Sequence, residues 1–113
     1  MKKTEMLKKN YEFKTVLSKG KFFKGKEIEI FILKNNKKRN FLGIAIWTKN
    51  GKAFQRNKAK RLIREAYKNL EERIKNGYSI VVLLKKDIDI NDMKYIDILN
   101  EMENTFKKAN IIS

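Results

Sequence analysis

The chain has 113 residues, of which 28 are Lys or Arg and 13 are Asp or Glu, giving a formal net charge of +15. Hydrophobic residues make up 42% of it, so a packed core is possible and disorder is not expected. The length suits one domain spanning 1–113. A small domain with this charge repels itself, which points to a polyanionic partner, with nucleic acid ahead of an anionic membrane surface.

Two residue types that carry much enzyme chemistry are missing. Without cysteine, the chain has no disulfide, no thiolate zinc site and no cysteine nucleophile. Without histidine, it lacks the commonest general base and the commonest transition-metal ligand. No apolar run approaches the roughly 20 residues that cross a bilayer, and the charged segment 1–9 is unlike a signal peptide. We therefore expect a cytoplasmic protein with no membrane partner.

The first predicted element is a helix over about 10–18, which Asn10 caps and Gly20 ends. Its apolar side carries Phe13 and Leu17 at helical spacing. This short amphipathic helix needs another surface on which to bury that side.

Alternating apolar residues then predict a strand-rich stretch. Segments 27–33 and 41–47 alternate at the strand period, and 22–23 forms a short strand between two glycines. The continuous aliphatic run 79–84 suits a central strand buried on both faces.

Two further helices complete the pattern. The clearest helix runs over about 53–75 and ends at Gly77, and a last helix follows a cap at Asn91 or Asp92. The apolar stripe of the first is Ala59, Leu62, Ile63, Ala66, Leu70 and Ile74, and that of the last is Ile96, Leu99, Met102 and Phe106. The order α-β-β-β-α-β-α predicts a small α/β (α+β) two-layer sandwich with one mixed sheet.

The most informative segment, 49–64, is rich in cations. On a helix, Arg56, Lys60 and Arg64 stack at four-residue spacing beside the buried stripe, and the first acid after them in the chain is Glu65. Arginine grips phosphate oxygens in pairs and lysine adds point charge, so this face suits nucleic acid. A solvated helix face is the alternative, but such faces usually mix charges of both signs.

The same segment resembles a known family. Residues 56–65, R-N-K-A-K-R-L-I-R-E, are similar to the arginine-asparagine-arginine signature helix of the bacterial ribonuclease P protein subunit. The preceding G-K-A at 51–53 and the opening L-K-K-N-Y-E-F-K-T-V-L-S-K-G at 7–20 also fit that family. The resemblance covers nearly the whole chain in the family's order of elements.

The resemblance implies a function. In the family, a catalytic RNA with magnesium supplies the active site, and the protein helps it remove the 5′ leader of precursor tRNA. The expected partners are therefore ribonuclease P RNA and precursor tRNA, the Mg²⁺ belongs to the RNA, and the protein has no catalytic or metal-binding residue of its own. The residues expected at the catalytic RNA are Lys49, Lys52, Arg56, Asn57, Lys58, Lys60, Arg61 and Arg64.

The resemblance also implies a cleft for the single-stranded leader, between the first helix and the sheet. Carried onto this sequence, the cleft residues are Phe13, Leu17, Phe31, Ala45 and Trp47. The alternation of the strands points to the same cleft. Phe31 faces away from the isoleucine row, and the bare positions Gly43 and Ala45 leave room for nucleotides beside aromatic rings.

Three positions depart from the family pattern. Lys58 stands where the signature has its second arginine, so a bidentate fork is lost but the charge is kept. Leu17 replaces an aromatic residue often found there, which weakens leader stacking, and Trp47 is either a new stacking surface or an obstruction.

Two other function classes compete with this reading. A ribosome-associated RNA-binding protein would also suit the basic helix, and dependence on the 5′ leader would separate the two. A DNA-binding helix-turn-helix protein fits poorly, because the strongest helix lies between strands, so no DNA partner is expected.

Overall fold

The computed structural model describes residues 1 and 3–112. In this part of the chain, strands and α-helices follow one another in the order β-α-β-β-β-α-β-α. The strands are β1 (Thr4–Met6), β2 (Lys21–Lys24), β3 (Ile28–Lys34), β4 (Asn40–Ala45) and β5 (Tyr78–Leu84), and the helices are α1 (Asn10–Lys19), α2 (Ala53–Leu70) and α3 (Tyr95–Lys108).

The strands form one mixed sheet in the order β1-β4-β5-β3-β2. β4 pairs in parallel with β1 and with β5, whereas β3 pairs antiparallel with β5 and with β2. The central strand β5 is the aliphatic run that the sequence predicts to be buried on both faces. The mixed sheet and the α+β class are confirmed.

The main core lies between one face of the sheet and the helices α2 and α3. The strand residues on this face alternate as predicted, and all are buried. They are Ile28, Ile30 and Ile32 of β3, Leu42 and Ile44 of β4, and Ile80, Val82 and Leu84 of β5. Burial of this much aliphatic surface supplies most of the driving force for folding.

The second face of the sheet carries α1 and a smaller core. Leu7, Val16 and Val81 are buried there, with Phe13 and Phe31 partly buried around them. This face stays open on both sides of α1, which makes it the part of the fold most suited to binding.

Strand β1 was missed by the sequence analysis. Its three residues are too few to show alternation, and it is held by partners far along the chain. The Thr4 and Tyr67 hydroxyls form a buried 2.7 Å hydrogen bond, and the Lys3 amide donates to the Glu71 carboxylate at 3.1 Å.

The predicted start of α1 at Asn10 is right, but the predicted cap is wrong. Lys9 occupies the cap position, and Asn10 is the first helical residue. The Glu12 carboxylate accepts the backbone N–H groups of Lys8 and Lys9 at 3.1 and 2.9 Å, and these bonds hold its pKa below the ordinary value. A carboxylate in the first turn therefore holds the backbone that leads into the helix, which is one half of a capping box.

The predicted end of the second helix was wrong. α2 stops at Leu70 and a 3₁₀ turn follows, instead of continuing to about Lys75. The cause is tertiary, because Ile74 pairs with Ile112 and the Lys75 amide donates to the Ile111 carbonyl at 2.8 Å. Ile74 nevertheless remains in the core, as its place in the apolar stripe predicts.

The cap and stripe of the last helix also need correction. α3 is preceded by Lys94, and Asn91 lies in a separate 3₁₀ turn, where its amide donates to the Asp89 carboxylate at 2.9 Å. Ile96 is 55% exposed, and Ile98 takes the buried place one helical turn before Met102.

Within the described residues, no helix is both long and apolar enough to cross a membrane.

Candidate nucleic-acid interface

The cations of α2 lie along the edge of its buried face. Arg56, Lys60 and Arg64 are half-buried beside the buried stripe, whereas Asn57 and Arg61 are exposed. An α-helix turns about 100° per residue, so these five side chains occupy one continuous sector. The result is a rigid basic surface on a helix anchored by Ala59, Ile63, Ala66, Tyr67 and Leu70.

Lys58 belongs to the far edge of this surface. It is exposed and lies about 160° round the helix from Arg56, but one turn from Arg61. A phosphate chain that contacts Arg56 and Lys60 therefore cannot reach Lys58 without wrapping over the exposed side of α2. The helical signature supplies a broad surface rather than a single row.

The loop before α2 is held by specific hydrogen bonds. The Arg56 guanidinium donates to the Gly51 carbonyl at 2.7 Å, and the Lys52 amide donates to the Gln55 side chain at 2.8 Å. The Asn50 side-chain amide reaches the carbonyls of the loop after β5 at 3.0–3.2 Å, namely those of Lys85, Lys86 and Ile88. Exposed Lys49 and Lys52 are thereby fixed near the start of the basic helix.

One aromatic residue of this surface escaped the sequence analysis. Phe54, in the first turn of α2, is 70% exposed, and helical spacing places it beside Asn57 and Lys58 and two turns before Arg61 on the same side of the helix. A large apolar ring left in water amid cations suits stacking on a base. The signal available in the sequence was its position outside the apolar stripe.

The predicted opening at Gly43 is filled. A side-chain carbon at Gly43 would lie 2.6 Å from the Phe13 ring and 3.0 Å from Leu7, so the glycine makes room for α1 and not for nucleotides. α1 crosses the sheet from this point towards Ile32 on β3, whose backbone lies against Gly20. The expectation of a bare groove at Gly43 is therefore corrected.

The remaining cleft residues lie around that crossing. Leu17 is 37% exposed, Phe31 and Ala45 are half-buried, and the rings of Phe31 and Phe22 are 5.0 Å apart. Phe31 pairs with Val81, and Val81 pairs in turn with Gly43, so one row runs across β3, β5 and β4. Aromatic surface does reach solvent on this face, next to the α1 flank that carries Phe13 and Leu17.

Trp47 lies outside β4 at the end of the same face. It is 44% exposed, and the Lys86 ammonium lies 4.5 Å from its ring centre. A shallow groove of about 330 Å³ opens there, lined by Trp47, Lys24, Glu29, Lys85, Lys86 and Asp87. The indole forms part of a wall and leaves the groove open, and the neighbouring lysines were not predicted.

A family model described as Ribonuclease P matches residues 1–110. The chain belongs to the ribonuclease P protein family. The ribonuclease P protein component of Clostridioides difficile (strain 630) is 39% identical over 110 residues, which cover 96% of this chain and 95% of the relative.

Solved structures of the family share the fold. The ribonuclease P protein of Staphylococcus aureus has 29% identity and a TM-score of 0.82, covering 96% of this chain and 97% of that one. A mutant of the S. aureus protein, described as having defective mRNA degradation activity, has 31% identity and a TM-score of 0.81, covering 95% and 89%.

Membership of the ribonuclease P family gives the function at the level of the complex. The protein is a component of a ribonucleoprotein endoribonuclease and acts in the 5′ maturation of tRNA. Its membership also implies an RNA partner in the holoenzyme.

Proposed function

We propose that the protein binds ribonuclease P RNA through the N-terminal half of α2 and the 5′ leader of precursor tRNA on the α1 face of the sheet. The observation that carries the first contact is the continuous basic sector of α2, with exposed Phe54 beside it. Arginine forks and lysines there neutralise RNA phosphates, and release of counterions drives association.

The leader contact rests on a different set of side chains. Phe31, Leu17 and Trp47 offer partly exposed apolar surface, and Lys24, Lys85 and Lys86 line the groove next to Trp47. Ring stacking with nearby cations holds single-stranded RNA without demanding a base sequence. A leader bound there adds contacts that mature tRNA lacks, which raises affinity for the precursor alone.

The catalytic magnesium belongs to the RNA subunit in this proposal. Among residues 1 and 3–112, no group of three or more acidic side chains that could hold a metal ion is found. The protein contributes cations near crowded phosphates, which reduces repulsion and favours Mg²⁺ binding by the RNA. We place this complex in the cytoplasm, as expected from the sequence.

Reconstitution tests the proposal. A bacterial ribonuclease P RNA is mixed with the protein at low magnesium, and cleavage of precursor tRNA is followed. We expect strong stimulation of the RNA and no cleavage by protein purified free of RNA. One similar S. aureus protein is a mutant described as defective in mRNA degradation. The arm without ribonuclease P RNA therefore includes an mRNA fragment as a second substrate. Robust cleavage in that arm contradicts the assignment of catalysis to the RNA.

A further inference from the structure

Helix α1 separates two grooves on the second face of the sheet. Phe13 and Leu17 lie on the flank assigned to the leader. Tyr11, Thr15 and Lys19 recur at four-residue spacing and form the opposite flank. This second flank lines a groove of about 440 Å³, the size of a small-ligand site, to which the proposed function gives no role.

The floor of this groove follows from the strand register. Ser79 of β5 pairs with Phe41 of β4 on one side and with Leu33 of β3 on the other. A small side chain between two large ones leaves a depression in the surface of the sheet at that row. Leu7 and Val16 close the groove beneath α1, so its base is apolar and its shape is set by the sheet.

Cations stand on both walls. Lys19 lies on the helix wall, and Lys34 and Lys37 lie on the wall formed by the end of β3 and the following turn. Glu12 is the acid of the lining, and its carboxylate is engaged by two backbone N–H groups at the start of α1. The lining therefore favours an anion that extends from one wall to the other.

Two aromatic rings accompany these cations. Tyr11 is 63% exposed, and the Phe41 ring has the Lys37 ammonium 5.1 Å from its centre. A base of any sequence can stack on such rings. The Ser79 hydroxyl accepts from the Asn35 side chain at 3.1 Å and keeps its own proton to donate.

We propose that this groove binds one unpaired nucleotide of a single-stranded RNA segment, with its base against Tyr11 and Phe41 and its flanking phosphates against the lysines of the two walls. The inference rests on the proposed function, because the ribonuclease P complex supplies the RNA. A nucleotide within a chain fits better than a free one, since the cations are spread over both walls and are not gathered at a helix N-terminus or a phosphate loop.

Amide resonances of the full chain, titrated with a single-stranded hexaribonucleotide, test the assignment. We expect two groups of amides to shift, one at Thr15 and Ser79 in this groove and one at Ala45 and Leu83 in the leader cleft. Adenosine monophosphate serves as the second probe and should bind the groove at least tenfold more weakly. Equal affinity for both probes would assign the groove to a free nucleotide and overturn the proposal.

A double variant, Tyr11→Ala with Lys37→Ala, removes exposed side chains from opposite walls. It should lower hexaribonucleotide affinity at the Thr15 and Ser79 amides by about tenfold or more, the loss expected for one stacked base. The matched control, Tyr95→Ala with Lys108→Ala on α3, should change that affinity less than twofold.

The proposal fails if Thr15 and Ser79 do not respond while Ala45 and Leu83 do, or if the Tyr11 and Lys37 variant binds like the control. Affinity for ribonuclease P RNA, measured on the same samples, keeps this failure distinct from failure of the proposed function. If the unmodified chain does not bind ribonuclease P RNA, that result would instead contradict the role proposed for α2.

Discussion

At the scale of single residues, the basic helix makes the most direct prediction. Arg61 is exposed and lies outside the buried stripe of α2, so Arg61→Ala should weaken binding to ribonuclease P RNA by about 1–3 kcal/mol and leave the melting temperature unchanged. Lys108→Ala, an exposed cation of α3, is the control. Unchanged RNA affinity in a folded Arg61→Ala protein would contradict the proposal that α2 is the contact surface.

Arg56 requires a different expectation. The sequence places it in the same row as Lys60 and Arg64, but its guanidinium also donates to the Gly51 carbonyl. Arg56→Ala should therefore weaken RNA binding and also loosen the loop before α2. Arg61 is the cleaner probe of charge, a distinction that spacing alone does not reveal.

Phe31 tests the leader contact. Phe31→Ala should lower affinity for precursor tRNA by about 1–3 kcal/mol and leave affinity for mature tRNA nearly unchanged, because a stacking surface for the leader is lost. Both affinities are measured on the reconstituted complex. Phe23→Ala, which removes a half-buried ring from the neighbouring strand on the opposite face, controls for lost packing.

A purely structural role for Phe31 predicts another pattern. Truncation of a core ring costs about 3–5 kcal/mol of stability. A large fall in melting temperature, or equal loss of affinity for precursor and mature tRNA, would count against a leader contact at this residue.

At the scale of elements, the seating of α1 depends on one glycine. A methyl group at Gly43 would lie 2.6 Å from the Phe13 ring, so Gly43→Ala should destabilise the fold by about 1–3 kcal/mol, as overpacked cores do. Thermal unfolding measures the loss. Combining Gly43→Ala with Phe13→Ala removes the clash, so the pair should cost less than the sum of the single changes. Strict additivity would show that the two residues do not meet.

The junction of β3 and α3 predicts a pH dependence. The Glu101 carboxylate accepts the Glu27 backbone N–H at 3.0 and 3.1 Å. Burial, and then repulsion from Glu101 and Asp97, raise the pKa of the Glu27 side chain. A raised carboxyl pKa contributes stability below the unfolded value of 4.5, and that contribution is lost as the pH rises through the folded value.

Glu27→Gln should therefore raise the melting temperature at pH 7, and the difference should vanish at pH 3, where both side chains are neutral. Glu101→Ala is the contrasting variant and should lower the melting temperature at pH 7, because two backbone donors lose their acceptor. A Glu27→Gln protein with the same melting temperature as the unmodified chain at pH 7 would contradict the expected repulsion.

Sequence periodicity predicted the elements in which the apolar residues recur at a regular spacing. The isoleucine row of β3 and Ala59, Ile63, Ala66 and Leu70 of α2 are buried as expected. Leu62 is only partly buried, and the fully buried Tyr67 was not predicted. Strand β1, the early end of α2 and the filling of Gly43 by Phe13 were not predicted, because each depends on a partner distant in the chain. The exposure of Tyr11 also becomes evident only once α1 is packed on the sheet, whereas Phe54 could have been identified from its position outside the apolar stripe.

At the scale of the whole molecule, the RNA contacts proposed for α2 and for the leader occupy opposite faces of one sheet. α2 packs on one face and α1 on the other, and the segment from Trp47 to Lys52 connects the α1 face to the basic helix. With a net charge of +15, the domain can neutralise phosphates on both sides at once. The rigid sheet then sets the position of the leader relative to the catalytic RNA.

Leader dependence of binding tests this account most directly. Affinities for precursor and mature forms of one tRNA are measured with ribonuclease P RNA alone and with the reconstituted complex at matched salt. We expect the protein to raise the ratio of precursor to mature affinity, Phe31→Ala to lower this ratio, and Arg61→Ala to weaken assembly. A ratio that is the same with and without the protein would contradict this expectation.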